Sequence, residues 1–193
     1  MFFKRKHEFR PDKNRSWLNK LYLTKIQRLK VLKWLLMTVA LVLISIIQDV
    51  IMSRVSIFGT TTDLVAYAIL LACVILDPEI GCVFGLVSSM VYQFSGSAPG
   101  PYVIALLTIL GVIVAILRQS YLRYSFGSIY LGAAVAVILY ELALFCVGLF
   151  LEHTTFRAFP HFLLTGVYGA FVIPVLYPVF TAIGKIGGET WKE

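Results

Sequence analysis

Glu141 stands in the middle of a long apolar run, SIYLGAAVAVILYELALFCVGLFL, where water would be scarce. A charged group at the centre of a bilayer costs several kcal/mol, about 2.5–3.5 for Asp on insertion scales, unless it is paired or neutralised. A carboxylate in such a place can serve as a proton relay, a ligand contact or an interhelical partner. The structural alternative is a protonated carboxyl hydrogen-bonded inside a helix bundle. Asp49 and Asp63 flank a segment rich in small and hydroxyl residues, SRVSIFGTTT. Asp63 follows three threonines and is placed to cap the helix that begins there. Asp49 and Arg54 are close enough in sequence to pair near a membrane surface, where a salt bridge contributes little.

The remaining reactive side chains form no catalytic pattern. Ser88-Ser89 has no His and Asp nearby in sequence, and His153 and His161 flank a short segment with Glu152 at a spacing that matches no common zinc motif. Phosphate-cradling loops, nucleophile elbows and HExxH helices are absent from the sequence. Cys73, Cys82 and Cys146 all fall in apolar runs with no CxxC pair or Cys/His cluster, so they read as small buried thiols. No catalytic residue, metal site or cofactor is therefore expected. Gly81-Cys-Val-Phe-Gly85 is a GxxxG in an apolar helix, a spacing that lets another backbone approach closely, inside the bundle or on a partner.

The elements that must position these residues follow from composition. The chain is 59% hydrophobic and 14% charged, with mean hydropathy +0.86. Soluble domains are about 45–50% apolar and about 25% charged. A water-soluble fold of this size could not hide that much apolar surface, so the sequence predicts an all-α, multi-pass membrane protein. A span takes about 20 residues to cross a hydrocarbon core of about 30 Å. Six apolar segments can be read: 34–52, 63–76, 80–94, 101–117, 128–151 and 162–183. The second and third are short. They read as two full spans, with a re-entrant pair buried in protein as the alternative. Asp77-Pro78-Glu79 forces a tight break between them. The third ends at SGSAPGP, whose Ser95, Gly96, Pro99 and Gly100 make a flexible, helix-breaking external loop. Pro174 and Pro178 are expected to kink the sixth span.

Three regions result: a basic segment 1–33, a helical bundle 34–184 and a tail 185–193. Residues 1–33 carry eleven Lys or Arg against Glu8 and Asp12. Leu18, Leu21, Tyr22, Ile26, Leu29 and Leu32 share one face at a period of 3.6. That pattern predicts a basic amphipathic helix on the inner leaflet, capped by Ser16, before the chain turns into the membrane. Lys20, Lys25, Arg28, Lys30 and Lys33 would meet the membrane surface. Lys25 and Lys33, on the apolar side, would snorkel. A nucleic-acid role is not expected, because a basic segment running straight into a span is a cytoplasmic anchor beside anionic lipid. With the N-terminus inside, six spans place fifteen Lys and Arg on the cytoplasmic side and only Arg54 and Arg157 outside. That asymmetry favours an even number of spans with both termini inside. The first apolar run ends in Gln48-Asp49 without a small-x-small cleavage site, so it reads as a retained helix.

The stretch from about Gly59 to Arg118 resembles the rod shape-determining MreD family of bacterial cell-wall elongation. Its segments are GTTTDLVAYAIL, GCVFGLVSSMVYQFSGSAPGPY and LGVIVAILRQ. Family members typically show Gly-x-Pro-Asp-Leu at the start of the second helix. They also tend to show Gly-Phe-x-x-Gly-Leu-x-x-Asp before a Gly-rich loop. Asp63, Gly81, Gly85, Leu86 and the loop from Ser95 to Gly100 carry the match. Thr62 replaces the Pro, Val83-Phe84 displaces the Gly-Phe pair, and Ser89 stands in place of the second Asp. The resemblance implies a non-enzymatic subunit of the bacterial inner membrane. It would pack against an MreC-like bitopic protein, a transpeptidase and a RodA-type glycosyltransferase, and connect indirectly to the MreB cytoskeleton. A second likeness, in size and hydropathy, is to the substrate-binding subunits of energy-coupling-factor vitamin transporters. There the loop around 95–100 would cover a vitamin pocket, with Glu141 near the ligand.

Overall fold

Leu64–Ile75 is a run of twelve residues without a polar side chain other than Tyr67 and Cys73, and every one of them is buried. A helix that is apolar all round belongs in the middle of a protein or in lipid, and this one forms the axle of the fold. In a computed structural model of the chain, described over residues 25–50, 62–76, 78–121 and 125–186, six α-helices and no strands are found among the described residues. They are α1 (Lys25–Val50), α2 (Leu64–Ile75), α3 (Pro78–Phe94), α4 (Tyr102–Tyr121), α5 (Phe126–Phe150) and α6 (Phe159–Gly184), with one 3-10 turn at Phe156–Ala158. The five other helices all pack against α2.

Helices α1, α5 and the 3-10 turn with α6 are long and apolar enough to cross a membrane. Helices α2, α3 and α4 are also apolar, but their apolar lengths, Leu64–Ile75, Glu79–Phe94 and Tyr102–Leu117, are shorter. At a rise of about 1.5 Å per residue, α2 is only about 18 Å long. Its backbone ends can lie below the depth of the surrounding helices because protein, not lipid, covers them. The outer helices reverse the soluble pattern. Leu35, Val42, Ile46, Val91, Leu131 and Phe171 are all exposed large apolar side chains. Such surface is compatible with lipid as solvent for the outside of the bundle.

Sequence boundaries and structure agree closely for α2 and α3. The beginning of α1 differs. The amphipathic pattern implies a surface helix that ends before Trp34, yet the helix runs unbroken from Lys25 to Val50. Residues 25–33 are therefore the first turns of the span helix, since no Gly, Pro or turn residue interrupts them. Lys20 and the Ser16 cap lie outside the described residues. Arg28 and Lys30 are exposed, whereas Lys33 is 8% exposed. Lys33 lines a small niche with Trp34, Met37, Leu76 and Phe84. Trp34 meets the Phe84 ring edge-on at 5.5 Å. Helix α4 continues past Arg118 to Tyr121. Helix α6 stays helical through Pro174 and Pro178, with Thr181 donating to the Tyr177 carbonyl at 2.8 Å.

The GxxxG pair settles inside the bundle. A side chain at Gly81 would come within 3.2 Å of the Cys73 carbonyl, and one at Gly85 within 3.0 Å of the Cys73 sulfur. Gly111 of α4 presses on the same sulfur, at 2.9 Å from where its own Cβ would lie. Three glycines from two helices thus seat one cysteine of the central helix, and small-residue contact of this kind is what holds helices together in lipid. Ser89 is fully buried nearby, donating to the Leu86 carbonyl at 2.9 Å and lying 3.4 Å from the Thr108 hydroxyl of α4.

Candidate functional site: a polar cleft at one end of the bundle

Asp63 caps α2 as its sequence context implies. Its Oδ1 accepts from the Ala66 amide at 3.1 Å. Its other oxygen, Oδ2, accepts from the Tyr140 hydroxyl of α5 at 3.1 Å. The Tyr92 and Gln48 side chains also approach this carboxylate. Gln48 accepts from the Val65 amide at 2.8 Å, satisfying another free donor of the first turn of α2. One carboxylate thereby fastens the start of the axle to α1, α3 and α5.

Glu141 sits one residue beyond Tyr140, only 4% exposed. Tyr67 of α2 donates to its Oε1 at 2.7 Å. The same hydroxyl lies 3.4 Å from the Thr165 carbonyl of α6. At about 1.5 Å per residue, Glu141 is about 13 Å below the end of α5. Gly166 and Gly169 of α6 make room for this contact. A Cβ at Gly166 would lie 3.5 Å from Glu141, and one at Gly169 would strike the Tyr67 ring at 2.7 Å. The interhelical role open to Glu141 is therefore filled, through Tyr67. Tyr67→Phe should lower stability by about 1–2 kcal/mol, since it removes the hydroxyl and leaves the buried carboxyl without a protein partner. Unfolding in mixed micelles checks this, and Thr165→Ala, which leaves the backbone carbonyl in place, should cost less.

These groups border a cleft of about 440 Å³. Its lining comes from the C-terminal ends of α1, α3 and α5 and the N-terminal ends of α2, α4 and α6. Consecutive helices thus run in opposite directions, and the six ends meet around one opening. Asp63 and Glu141 lie in its wall with Tyr92, Tyr102, Leu144 and Thr165, while His153 and His161 are exposed at its rim. No Lys or Arg is among the described lining residues.

The loop between α3 and α4 forms one side of the opening. Gly96 has φ +78°, a backbone state that Gly adopts without strain. Ser95 donates to the Tyr92 carbonyl at 2.7 Å, and Ser97 donates to Asp49 of α1 at 2.7 Å. Tyr92 in turn donates to the Ser97 carbonyl at 3.3 Å. Pro99 lines the cleft, and Gly100 lies so close to the Tyr102 ring that a Cβ would meet it at 2.5 Å. Asp49 thus has Ser97 as a partner, while Arg54, its expected partner, lies outside the described residues. Replacing Ser97 with Ala should loosen this loop, raising protease sensitivity near 95–100 and lowering stability by at most about 0.5–1.5 kcal/mol, the contribution of a single hydrogen bond.

The sequence brought out Asp63, Glu141 and the glycine loop but not the tyrosines that join them. Tyr67, Tyr92 and Tyr140 interrupt runs of aliphatic residues, and a buried tyrosine needs a partner for its hydroxyl. That was the available signal. No group of three or more metal-ligating side chains occurs among the described residues. No family model matches this chain, and neither the curated proteins nor the solved structures include a significant match.

Proposed function

We propose that the chain is a non-catalytic, six-span subunit of the bacterial inner membrane that acts as a scaffold in cell-wall elongation, as its resemblance to the MreD family implies. Its partners would be an MreC-like bitopic protein, a transpeptidase and a RodA-type glycosyltransferase, with MreB reached indirectly. Both termini would face the cytoplasm, so the cleft opens on the outer side.

The observation that carries this reading is what the residues of the resemblance do. Asp63 fastens the start of α2, Gly81 and Gly85 seat α3 on it, and the 95–100 loop ties α3 to α1 through Ser97 and Asp49. All serve helix packing rather than bond-making. Ser89 is turned to the Leu86 carbonyl. A rigid bundle with an apolar exterior is suited to holding other transmembrane helices. Depletion of the protein in its own host should convert rod-shaped cells to rounded ones, scored by microscopy. Unchanged rods would contradict the proposal.

The cleft supports a second reading, a substrate-binding subunit of an energy-coupling-factor vitamin transporter. Its volume falls within the range of small-molecule sites, about 300–1,000 Å³, and Glu141 and the 95–100 loop border it.

A further inference from the structure

We propose that the outer cleft binds a protonated primary amine, held by Glu141 Oε2 at its base. Two observations on the cleft lead to this, independently of the scaffold role.

The first is a vacant acceptor. Tyr67 occupies Oε1 of Glu141, and among the described residues Oε2 accepts no hydrogen bond. The residue is nevertheless buried, and it lines the cleft. A carboxylate carries about four lone-pair sites, so the protein leaves acceptor capacity facing the cavity.

The second is the sign and character of the wall. Asp63 and Glu141 contribute acid, Tyr92 and Tyr102 contribute aromatic surface, and no Lys or Arg is present among the described lining residues. A phosphate or carboxylate set directly against Glu141 would meet repulsion. An ammonium group supplies three donors and a positive charge, which match a carboxylate oxygen and the faces of aromatic rings. A quaternary ammonium has the charge but lacks the donors, so it leaves Oε2 unmatched. The amine could belong to a free small molecule or to an aminophospholipid headgroup entering from the outer leaflet, and the chemistry at Glu141 is the same for both.

The test uses the full chain in phosphatidylcholine nanodiscs. Ethanolamine is titrated calorimetrically against choline, and phosphatidylethanolamine is doped into the discs and its retention followed by native mass spectrometry. One equivalent of ethanolamine or phosphatidylethanolamine should bind, at least about tenfold more tightly than its trimethylated counterpart. Binding of ethanolamine assigns a soluble source, and retention of phosphatidylethanolamine alone assigns the lipid. Glu141→Gln should weaken binding by about tenfold or more. Leu144→Phe fills the cleft while leaving the Glu141–Tyr67 pair intact, and it should block binding even if Glu141→Gln does not fold. Equal binding of amine and trimethylated probe, binding of neither, or wild-type affinity in a folded Glu141→Gln or Leu144→Phe would each overturn the proposal. None of these results bears on cell shape, so the scaffold reading stands or falls separately.

Discussion

Asp63→Ala should lower the stability of the bundle by about 2–4 kcal/mol. Two losses combine. The helix cap is removed, which costs about 0.5–2 kcal/mol, because the Ala66 amide loses its acceptor. The Tyr140 hydroxyl also loses its partner within a buried setting, and an orphaned buried donor costs about 1–3 kcal/mol. The effect should be visible as a loss of monodisperse protein in mild detergent and as a shift in the reversible unfolding midpoint in mixed micelles. Asp63→Asn keeps one carbonyl oxygen for either the cap or the tyrosine and should recover about half of the loss. If Asn behaves like Ala, the negative charge matters and the hydrogen-bond account is wrong. If Ala is neutral, Asp63 does not fasten the axle.

The second large effect is expected at Cys73. Its side chain is fully buried, and Gly85 and Gly111 both close on its sulfur. Cys73→Phe has no space to enter without pushing α3 and α4 off α2. Overpacking costs about 1–3 kcal/mol and sometimes more, and with backbone on two sides the upper end applies. Gly111→Ala should also destabilise, because its new methyl would lie 2.9 Å from the sulfur. Cys73→Ala vacates that space, so the double variant Cys73→Ala/Gly111→Ala should be more stable than the sum of its parts predicts. A coupling of about 0.5–3 kcal/mol is the range for residues in contact. Simple additivity would show that the two residues do not meet.

These two sites also show how far sequence carries. Asp63 is legible as a cap because a polar, hydroxyl-rich stretch ends there and an apolar run begins. Tyr140 is not legible as its partner, since 77 positions separate them and no local period links one helix to another. Glu141 stands out by charge alone, but Tyr67, which occupies one of its oxygens, looks like one more aromatic residue in a hydrophobic helix. The Gly81–Gly85 spacing announces a close approach without saying to what. The answer, Cys73, lies eight residues before Gly81, across the turn between α2 and α3.

Hydropathy places the six apolar segments well because a helix of membrane length has a strong one-dimensional signature. It does not reveal that the shortest segment is central. A helix with no polar face has no direction from which burial can be read, so only tertiary packing shows that α2 is surrounded. The amphipathic period before Trp34 is real, yet it does not fix a turn. The same spacing continues into the span, and the chain keeps the cheaper hydrogen-bonded helix instead of breaking it. Lys33 follows from that continuity: held on a helix that runs on into the bundle, it faces Trp34 and Phe84. The cleft is the least legible feature, since its walls come from six helix ends scattered over 118 positions, from Gln48 to Thr165.

The most direct test of the proposed role is to purify the protein at native level from its own membranes in mild detergent and identify what comes with it by cross-linking mass spectrometry. The scaffold account predicts cross-links to an MreC-like bitopic protein and to a transpeptidase or RodA-type glycosyltransferase. Recovery instead with a pair of ATPases and a bound vitamin would contradict it and establish the transporter reading.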